Sequence, residues 1–333
     1  MPHEKPDGAE DEQGFTFTYE LEKCARKTLP LGAGQFASDA LEHVRRGCFQ
    51  RSLCFVVAST SVIAGAEVAY EHYKGSYSNP VMYSPVILSA ALAATGTAGI
   101  FSRWAARVAL RWVSLITLAD GVIGFGFHVR GIARKPGGWS LPVTNIVMGP
   151  PIFAPLLFGT SAYLGWMASY LRREEDMKRD RSEDETNSDL EAEKNNWRED
   201  LKFGRFQKHL AAVTIPWALF SGAEALYSHY KNNFRYKTPQ WSPIILTPVL
   251  MASAAAAIKS KRMANTLLPA VSAITMADGA VGFFYHARGI VRRPGGLKKP
   301  GYNIIYGPPI FAPLLFAACG FLGMMASLLR RER

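Results

Sequence analysis

The chain has 333 residues, of which 48% are hydrophobic, and 38 Lys and Arg against 27 Asp and Glu give it a formal net charge of +11. A basic chain of this length suits an anionic partner, either a nucleic acid or a membrane surface. The sequence contains no nucleic-acid-binding module, phosphate loop, dinucleotide fingerprint or nucleophile elbow, and its four cysteines have no metal-binding spacing. These absences argue against nucleic acid as a partner and against a soluble hydrolase or kinase.

Residues 1–50 begin acidic and polar and become basic towards Arg45 and Arg46, which predicts a cytoplasmic segment with a short interfacial helix over Phe36–Gln50. Long apolar runs follow, and a membrane-spanning helix needs about 20 mostly apolar residues. Eight runs reach or approach that length: Leu53–Tyr73, Pro85–Phe101, Ala109–His128, Ile152–Leu171, Leu210–Tyr230, Pro243–Ile258, Leu267–His286 and Ile310–Leu329. The second run of each half is marginal, and Pro248 weakens the later one.

Two fold classes fit eight apolar helices: a soluble all-α bundle and an integral membrane protein. The surface helices of a soluble bundle carry one apolar stripe. These runs are apolar on all sides and rich in Gly, Ala and Ser, which is typical of membrane bundles. We therefore predict an all-α integral membrane protein in contact with the lipid bilayer.

The second half of the chain repeats the first. The segment TLADGVIGFGFHVRGIARKPGG at Thr117–Gly138 matches TMADGAVGFFYHARGIVRRPGG at Thr275–Gly296 in 14 of 22 positions. The block GPPIFAPLLF occurs at 149–158 and again at 307–316. A repeat of this length marks a structural unit. We predict eight transmembrane helices as two tandem four-helix repeats, residues 51–172 and 208–333, joined by a charged cytoplasmic linker, residues 173–207.

The distribution of basic residues predicts the orientation. Four spans in each repeat place both termini and the linker on one side of the membrane. Near the span ends that side carries 17 Lys and Arg, against 12 on the other side. Positive charge is retained on the cytoplasmic side, so we expect a multi-pass protein of the cell (inner) membrane with its N- and C-termini in the cytoplasm.

The fourth run of each repeat opens with Gly-Pro-Pro-Ile-Phe-Ala-Pro. The later prolines of this motif, Pro155 and Pro313, predict a kink within the helix. Asn145 and Asn303 stand just before the motif and are candidates to cap the start of that helix.

Ionisable residues recur at equivalent positions on the apolar runs. They are Glu67, His72, Asp120 and His128 in the first repeat, and Glu224, His229, Asp278 and His286 in the second. Such residues are costly inside a membrane and therefore indicate a functional site. Glu67 and His72 are about 140° apart on an ideal helix, so we do not expect them to share one cavity. For Asp120 the alternatives are a proton relay or quinone hydrogen-bonding group, and a structural hydrogen bond to a serine such as Ser114.

The four histidines share a local pattern, in which a glycine precedes each one by seven residues on the same helix face. On the third runs these glycines are Gly121 and Gly279. Bare backbone beside a histidine leaves room for a flat ring, which suggests a b-type haem held by His72 with His128 and by His229 with His286. Arg130 and Arg288 would then face its propionates. The structural alternative is close helix packing at the glycines and histidines that cap carbonyl groups.

These features favour a membrane subunit for electron transfer or quinone reaction, with haem b or a quinone as the candidate cofactors and other membrane subunits as partners. The alternative is a non-redox membrane protein, either a parallel-repeat transporter or a structural anchor. Tandem four-helix units are similar, in architecture alone, to the haem-free quinol-oxidising membrane subunits of respiratory oxidoreductases. That similarity carries no residue across.

Overall fold

The structure, a computed structural model, describes residues 31–177, 197–235 and 237–332. Regular secondary structure in these ranges is helical, apart from an isolated bridge between Arg205 and Arg330. Part of the predicted N-terminal segment, residues 1–30, and part of the predicted linker, residues 178–196, lie outside the described ranges.

The first half of the chain contributes α1 to α6. Their bounds are α1 Leu31–Arg45, α2 Gln50–Lys74, α3 Ser84–Phe101, α4 Leu110–Ala133, α5 Pro142–Val147 and α6 Ala154–Ala168. The predicted interfacial helix thus begins and ends earlier than expected. It stops before Gly47, whose φ of 71° lies in the left-handed region that glycine accepts at no steric cost.

The second half contributes α7 to α13. Their bounds are α7 Trp197–Lys202, α8 Gln207–Lys231, α9 Lys237–Lys259, α10 Lys261–Asn265, α11 Leu267–Val291, α12 Pro300–Ile305 and α13 Ala312–Leu328.

Six helical stretches are long and apolar enough to cross a membrane: Gln50–Lys74, Pro80–Phe101, Ala105–Ala133, Gln207–Lys231, Pro239–Lys259 and Lys261–Val291. By length and composition they indicate a multi-pass membrane protein. The runs that looked marginal in the sequence are among them, and Pro248 lies inside α9 without ending it. By contrast, α6 has 15 residues and α13 has 17, both shorter than a typical spanning helix.

Four helices of each half form a ring. In the first half α2 packs on α3, α3 on α4, α4 on α6 and α6 on α2, and α8, α9, α11 and α13 follow the same order. Small and hydroxyl side chains such as Ser61, Ser114 and Thr117 are buried inside, whereas Ile87 is 65% exposed and Trp112 is 62% exposed. Large apolar side chains that point outward suit contact with lipid rather than with water.

The two halves pack against each other through reciprocal contacts. Helix α8 of the second half lies on α5 and α6, and α12 lies on α2 of the first half. A single cluster of buried apolar side chains, including Leu53, Leu164, Leu210 and Leu322, runs through both halves. The protein therefore has one continuous core.

A glutamate caps the start of the first long helix in each half. Glu174 accepts hydrogen bonds from the backbone N–H groups of Arg51 and Ser52, at 3.2 and 2.9 Å. Glu332 does the same for Lys208 and His209, at 2.8 and 2.7 Å. A carboxylate satisfies the free N–H groups at a helix N-terminus and opposes the helix dipole there.

Two predictions about the GPPIFAP motif are wrong. Pro155 and Pro313 are the second residues of α6 and α13, so they begin these helices and do not kink them. Asn145 and Asn303 do not cap the helix start. Their side-chain amides donate to the carbonyl groups of Gly138 and Gly296, at 2.7 and 2.9 Å, and so hold the Pro-Gly-Gly turn that follows α4 or α11.

Candidate functional site

The four repeated histidines each make a hydrogen bond from Nδ1 to a backbone carbonyl oxygen. His72 contacts Met82 O at 2.6 Å, and His229 contacts Gln240 O at 2.8 Å, both at the start of the next long helix. His128 contacts Pro151 O at 2.5 Å, and His286 contacts Pro309 O at 2.6 Å, in the segments that precede α6 and α13. These contacts agree with the structural alternative, in which the histidines cap carbonyl groups, but the sequence did not indicate which carbonyls, since that depends on how neighbouring helices meet.

These contacts determine the tautomer of each neutral histidine ring. A carbonyl oxygen only accepts hydrogen bonds, so Nδ1 must carry the proton and Nε2 is left with its lone pair. Nε2 can then accept a hydrogen bond from a ligand or coordinate a metal ion. A histidine whose Nδ1–H donates to a carbonyl while Nε2 is free is also the arrangement usual for metal-binding histidines.

The histidines of each half lie together at one end of the helix ring. His72 and His128 are close enough for their charges to interact, and so are His229 and His286. Asp278 is close enough to interact electrostatically with His229. Each half thus combines two histidines from diagonal helices, α2 with α4 and α8 with α11.

The repeated aspartates bind serines of the preceding long helix. Ser84, the first residue of α3, donates to Asp120 Oδ1 at 2.7 Å, and Ser242 of α9 hydrogen-bonds Asp278. The suggested partner Ser114 is wrong, because six residues turn a helix through about 240° and so place Ser114 on another face. Sequence analysis missed Ser84 and Ser242, although both stand in the repeated Ser-Pro of YSPVIL and WSPIIL.

The side chains of the repeated glutamates hydrogen-bond to backbone groups of the opposite half. Glu67 Oε2 accepts from the backbone N–H of Phe311 at 3.1 Å, and Glu224 Oε1 accepts from that of Phe153 at 2.5 Å. Phe153 and Phe311 are the residues just before α6 and α13. Glu67 and Glu224 are therefore helix caps between the two halves and do not join the histidines of their own half.

The glycine faces beside the histidines are packed against other helices. A Cβ atom added to Gly121 would lie 2.8 Å from Pro155 O, and one added to Gly279 would lie 2.7 Å from Pro313 O. The glycines on the first helices, Gly65 and Gly222, face Ser89 and Thr247 in the same manner. The bare backbone thus serves close contact with α6 and α13, and with α3 and α9. Arg130 and Arg288 are exposed in the last turns of α4 and α11.

This arrangement limits the cofactors that the histidines can hold. In the described ranges, groups of three or more His, Cys, Asp or Glu that could bind a metal ion are absent. A bis-histidine haem needs only two such ligands, so this absence does not test the haem hypothesis. A porphyrin lying on the glycine face would, however, have to displace Pro155 or Pro313.

No protein-family model, curated protein or solved structure matches the chain.

Proposed function

We propose that this chain is an electron-transfer membrane subunit that reacts with a quinol at the histidine end of each half. The observation that supports this best is the set of four Nε2 atoms, two in each half, that have no hydrogen-bond partner among the residues the structure describes and can accept one. A quinol hydroxyl group donates a hydrogen bond, so it is complementary to an acceptor nitrogen. Asp278 is close enough to His229 to interact electrostatically, and Asp120 accepts from Ser84, two residues after the Met82 carbonyl that His72 contacts.

The proposed reaction has a simple balance. A quinol that becomes a quinone releases two protons and two electrons. The neutral imidazoles of one half accept protons from the two hydroxyl groups, with the aspartate as a further acceptor, which is general base catalysis. The two electrons would need a one-electron acceptor, such as a haem or an iron–sulfur centre in a partner subunit, so the chain would work within a membrane complex.

The proposed topology has eight spans, with two four-helix units and both termini in the cytoplasm. The fourth span of the first unit would combine α6 with the non-helical residues before it. Pro150 lies beside Gly131, and Ser169 Oγ accepts from Arg111 Nε at 3.1 Å, so residues 150–169 run along the same length of α4. Twenty helical residues cover about 30 Å, the thickness of the hydrocarbon core. Non-helical backbone is tolerated there where protein groups satisfy it, as Glu224 does for Phe153.

Haem b is the second candidate, because each histidine pair presents two free Nε2 atoms with the opposite nitrogen held by a carbonyl. His72 with His128 and His229 with His286 would supply the axial ligands, and a bound haem would supply one-electron transfer. The packed glycine faces weigh against this candidate. It ranks below the quinol proposal for that reason. The transporter and anchor functions remain the non-redox alternatives.

Two measurements on the purified protein separate these functions. We expect saturable binding of a short-chain benzoquinol, measured by equilibrium dialysis, and at least a tenfold loss of affinity when His128→Gln and His286→Gln are combined. His43→Gln is the control, because His43 lies in α1 and its Nδ1 contacts Asp39 O within the same helix. Absence of saturable binding contradicts the quinol proposal. A reduced-minus-oxidised band of six-coordinate haem would favour the second candidate, and absence of both would leave the non-redox functions.

A further inference from the structure

The cross-contacts of Glu67 and Glu224 fall on the segments that hold two of the histidines. Glu224, in the second half, binds the N–H of Phe153, two residues after Pro151, whose carbonyl accepts from His128. Glu67, in the first half, binds the N–H of Phe311, two residues after Pro309, whose carbonyl accepts from His286. The same chain of contacts therefore occurs twice, in opposite directions.

The segments between glutamate and histidine are short and also held by packing, since Pro150 lies beside Gly131 and the Phe153 ring stacks on Phe125 and Phe220. Residues 150–153 lie between α5 and α6, and residues 308–311 lie between α12 and α13. Each begins with two prolines, which have no N–H group to donate. The hydrogen bond from the Phe153 N–H to Glu224 is therefore a polar constraint on the backbone two residues after the Pro151 carbonyl.

We propose that each glutamate positions the histidine of the opposite half, Glu224 acting on His128 and Glu67 on His286. The carboxylate holds the backbone N–H, the short proline segment transmits that position, and its carbonyl sets the ring orientation and tautomer of the histidine. Each half then contains only part of what its own site needs. The inference rests on the proposed function for its effect on quinol binding, whereas the contacts themselves do not depend on it.

The two glutamates are positioning residues. Their contact with the backbone N–H of Phe153 or Phe311 requires a side-chain oxygen that accepts a hydrogen bond. Glutamine keeps a side-chain carbonyl oxygen at the same distance from the backbone, so Glu224→Gln is expected to preserve the orientation of His128. Glu224→Ala removes the acceptor and leaves the Phe153 N–H without its partner. Glu71→Ala is a matched control. Glu71 also lies on α2, but it binds Lys74 at the surface, at 2.9 Å.

The test is ¹⁵N NMR of the full-length protein labelled at histidine, with signals assigned from single His→Gln variants. In the wild type, His128 and His286 are expected to show the tautomer that carries the proton on Nδ1. Glu224→Ala is expected to move the His128 signals towards a mixture of tautomers and to leave those of His286 in place. Glu67→Ala is expected to do the reverse, and Glu224→Gln, Glu67→Gln and Glu71→Ala to change neither.

Several outcomes would overturn the proposal. They are an effect of Glu224→Ala on His286 alone, an equal effect on both histidines, no effect on either, or a glutamine variant that behaves like alanine. If the alanine variants do not fold, Glu224→Asp and Glu67→Asp replace them, because a side chain shorter by one methylene withdraws the acceptor and should give the same selectivity. If the wild type does not bind the quinol but the variants show the expected NMR changes, only the proposed function is contradicted.

Discussion

Gly279 offers the sharpest test of the packing that closes the site. A Cβ atom added there would lie 2.6 Å from Ala317 Cβ, 2.7 Å from Pro313 O and 2.8 Å from Ala317 N. Two of these atoms belong to the backbone and cannot rotate away, so Gly279→Ala must push α13 from α11. Gly126, within α4, provides the control, because among the described residues no atom outside its own helix backbone lies within 4 Å of the equivalent position.

The comparison of the two variants isolates the cost of overpacking. Replacing glycine by alanine inside a helix favours the folded state by up to about 1 kcal/mol, and this term is common to both variants. The added methyl group at Gly279 introduces overpacking, which costs about 1–3 kcal/mol. We therefore expect Gly279→Ala to be less stable than Gly126→Ala by about 1–3 kcal/mol.

The assay is reversible unfolding in mixed micelles of rising dodecyl sulfate content, followed by far-UV circular dichroism. Free energies of unfolding for the wild type and both variants are extrapolated to zero dodecyl sulfate. Gly279→Ala should unfold at a lower dodecyl sulfate fraction than the wild type, and Gly126→Ala at an equal or higher one. If the two variants agree within about 0.5 kcal/mol, close approach of α13 to α11 is refuted as the reason for glycine at 279.

Three further predictions concern other parts of the molecule. A membrane-impermeant thiol reagent added outside is expected to label Ser140→Cys and not Ser182→Cys, and the opposite pattern would invert the proposed orientation. Tyr70→Phe should lower the free energy of unfolding by about 1.5–3 kcal/mol because its hydroxyl donates to Glu67 at 2.5 Å. The buried Tyr227 hydroxyl has no partner in the described ranges, so Tyr227→Phe should be neutral or stabilising. Equal changes in the free energy of unfolding for Tyr70→Phe and Tyr227→Phe would contradict this difference between the two tyrosines. Burial raises the pKa of Asp176, but hydrogen bonds from Arg103 and from the Arg173 backbone N–H outweigh it and hold that pKa below its ordinary value. A lowered pKa in the folded state stabilises the fold above the unfolded value of about 3.9, and this contribution is lost as the pH falls through the folded pKa. Asp176→Asn should therefore remove part of the loss of stability between pH 7 and pH 3, and an unchanged pH profile would contradict the assignment.

Much of the fold could be predicted because the relevant signals are local. Long apolar runs predict helices. The repeated blocks predict that equivalent residues lie at equivalent positions of the two halves. The first three apolar runs of each half correspond to helices α2 to α4, α8, α9 and α11, with boundaries shifted by a few residues. The fourth run of each half gave a shorter helix, because Gly-Pro-Pro leaves residues 148–153 and 306–311 outside regular helix.

The candidate residues were also visible, since ionisable side chains on apolar runs stand out in composition alone. Their partners were not, because each partner lies on another helix. Ser114 of its own helix was one suggested partner of Asp120, whereas Ser84 of α3 donates to it. Gly121 was considered as room for a flat ring, whereas Pro155 of α6 packs there.

By itself, the sequence determined the helical class, the apolar character of the long helices, the repeated sequence blocks and the set of repeated ionisable residues. These follow from hydrophobicity and from identity between the two halves, which need no knowledge of contacts. Only the tertiary structure decided that Glu224 caps α6 and Glu67 caps α13, since residues separated by 71 and 244 positions meet only when the two halves pack. Hydrogen bonds act over about 3 Å, so which of two equivalent helices a glutamate reaches depends on the relative placement of the halves, and no sequence period records that placement.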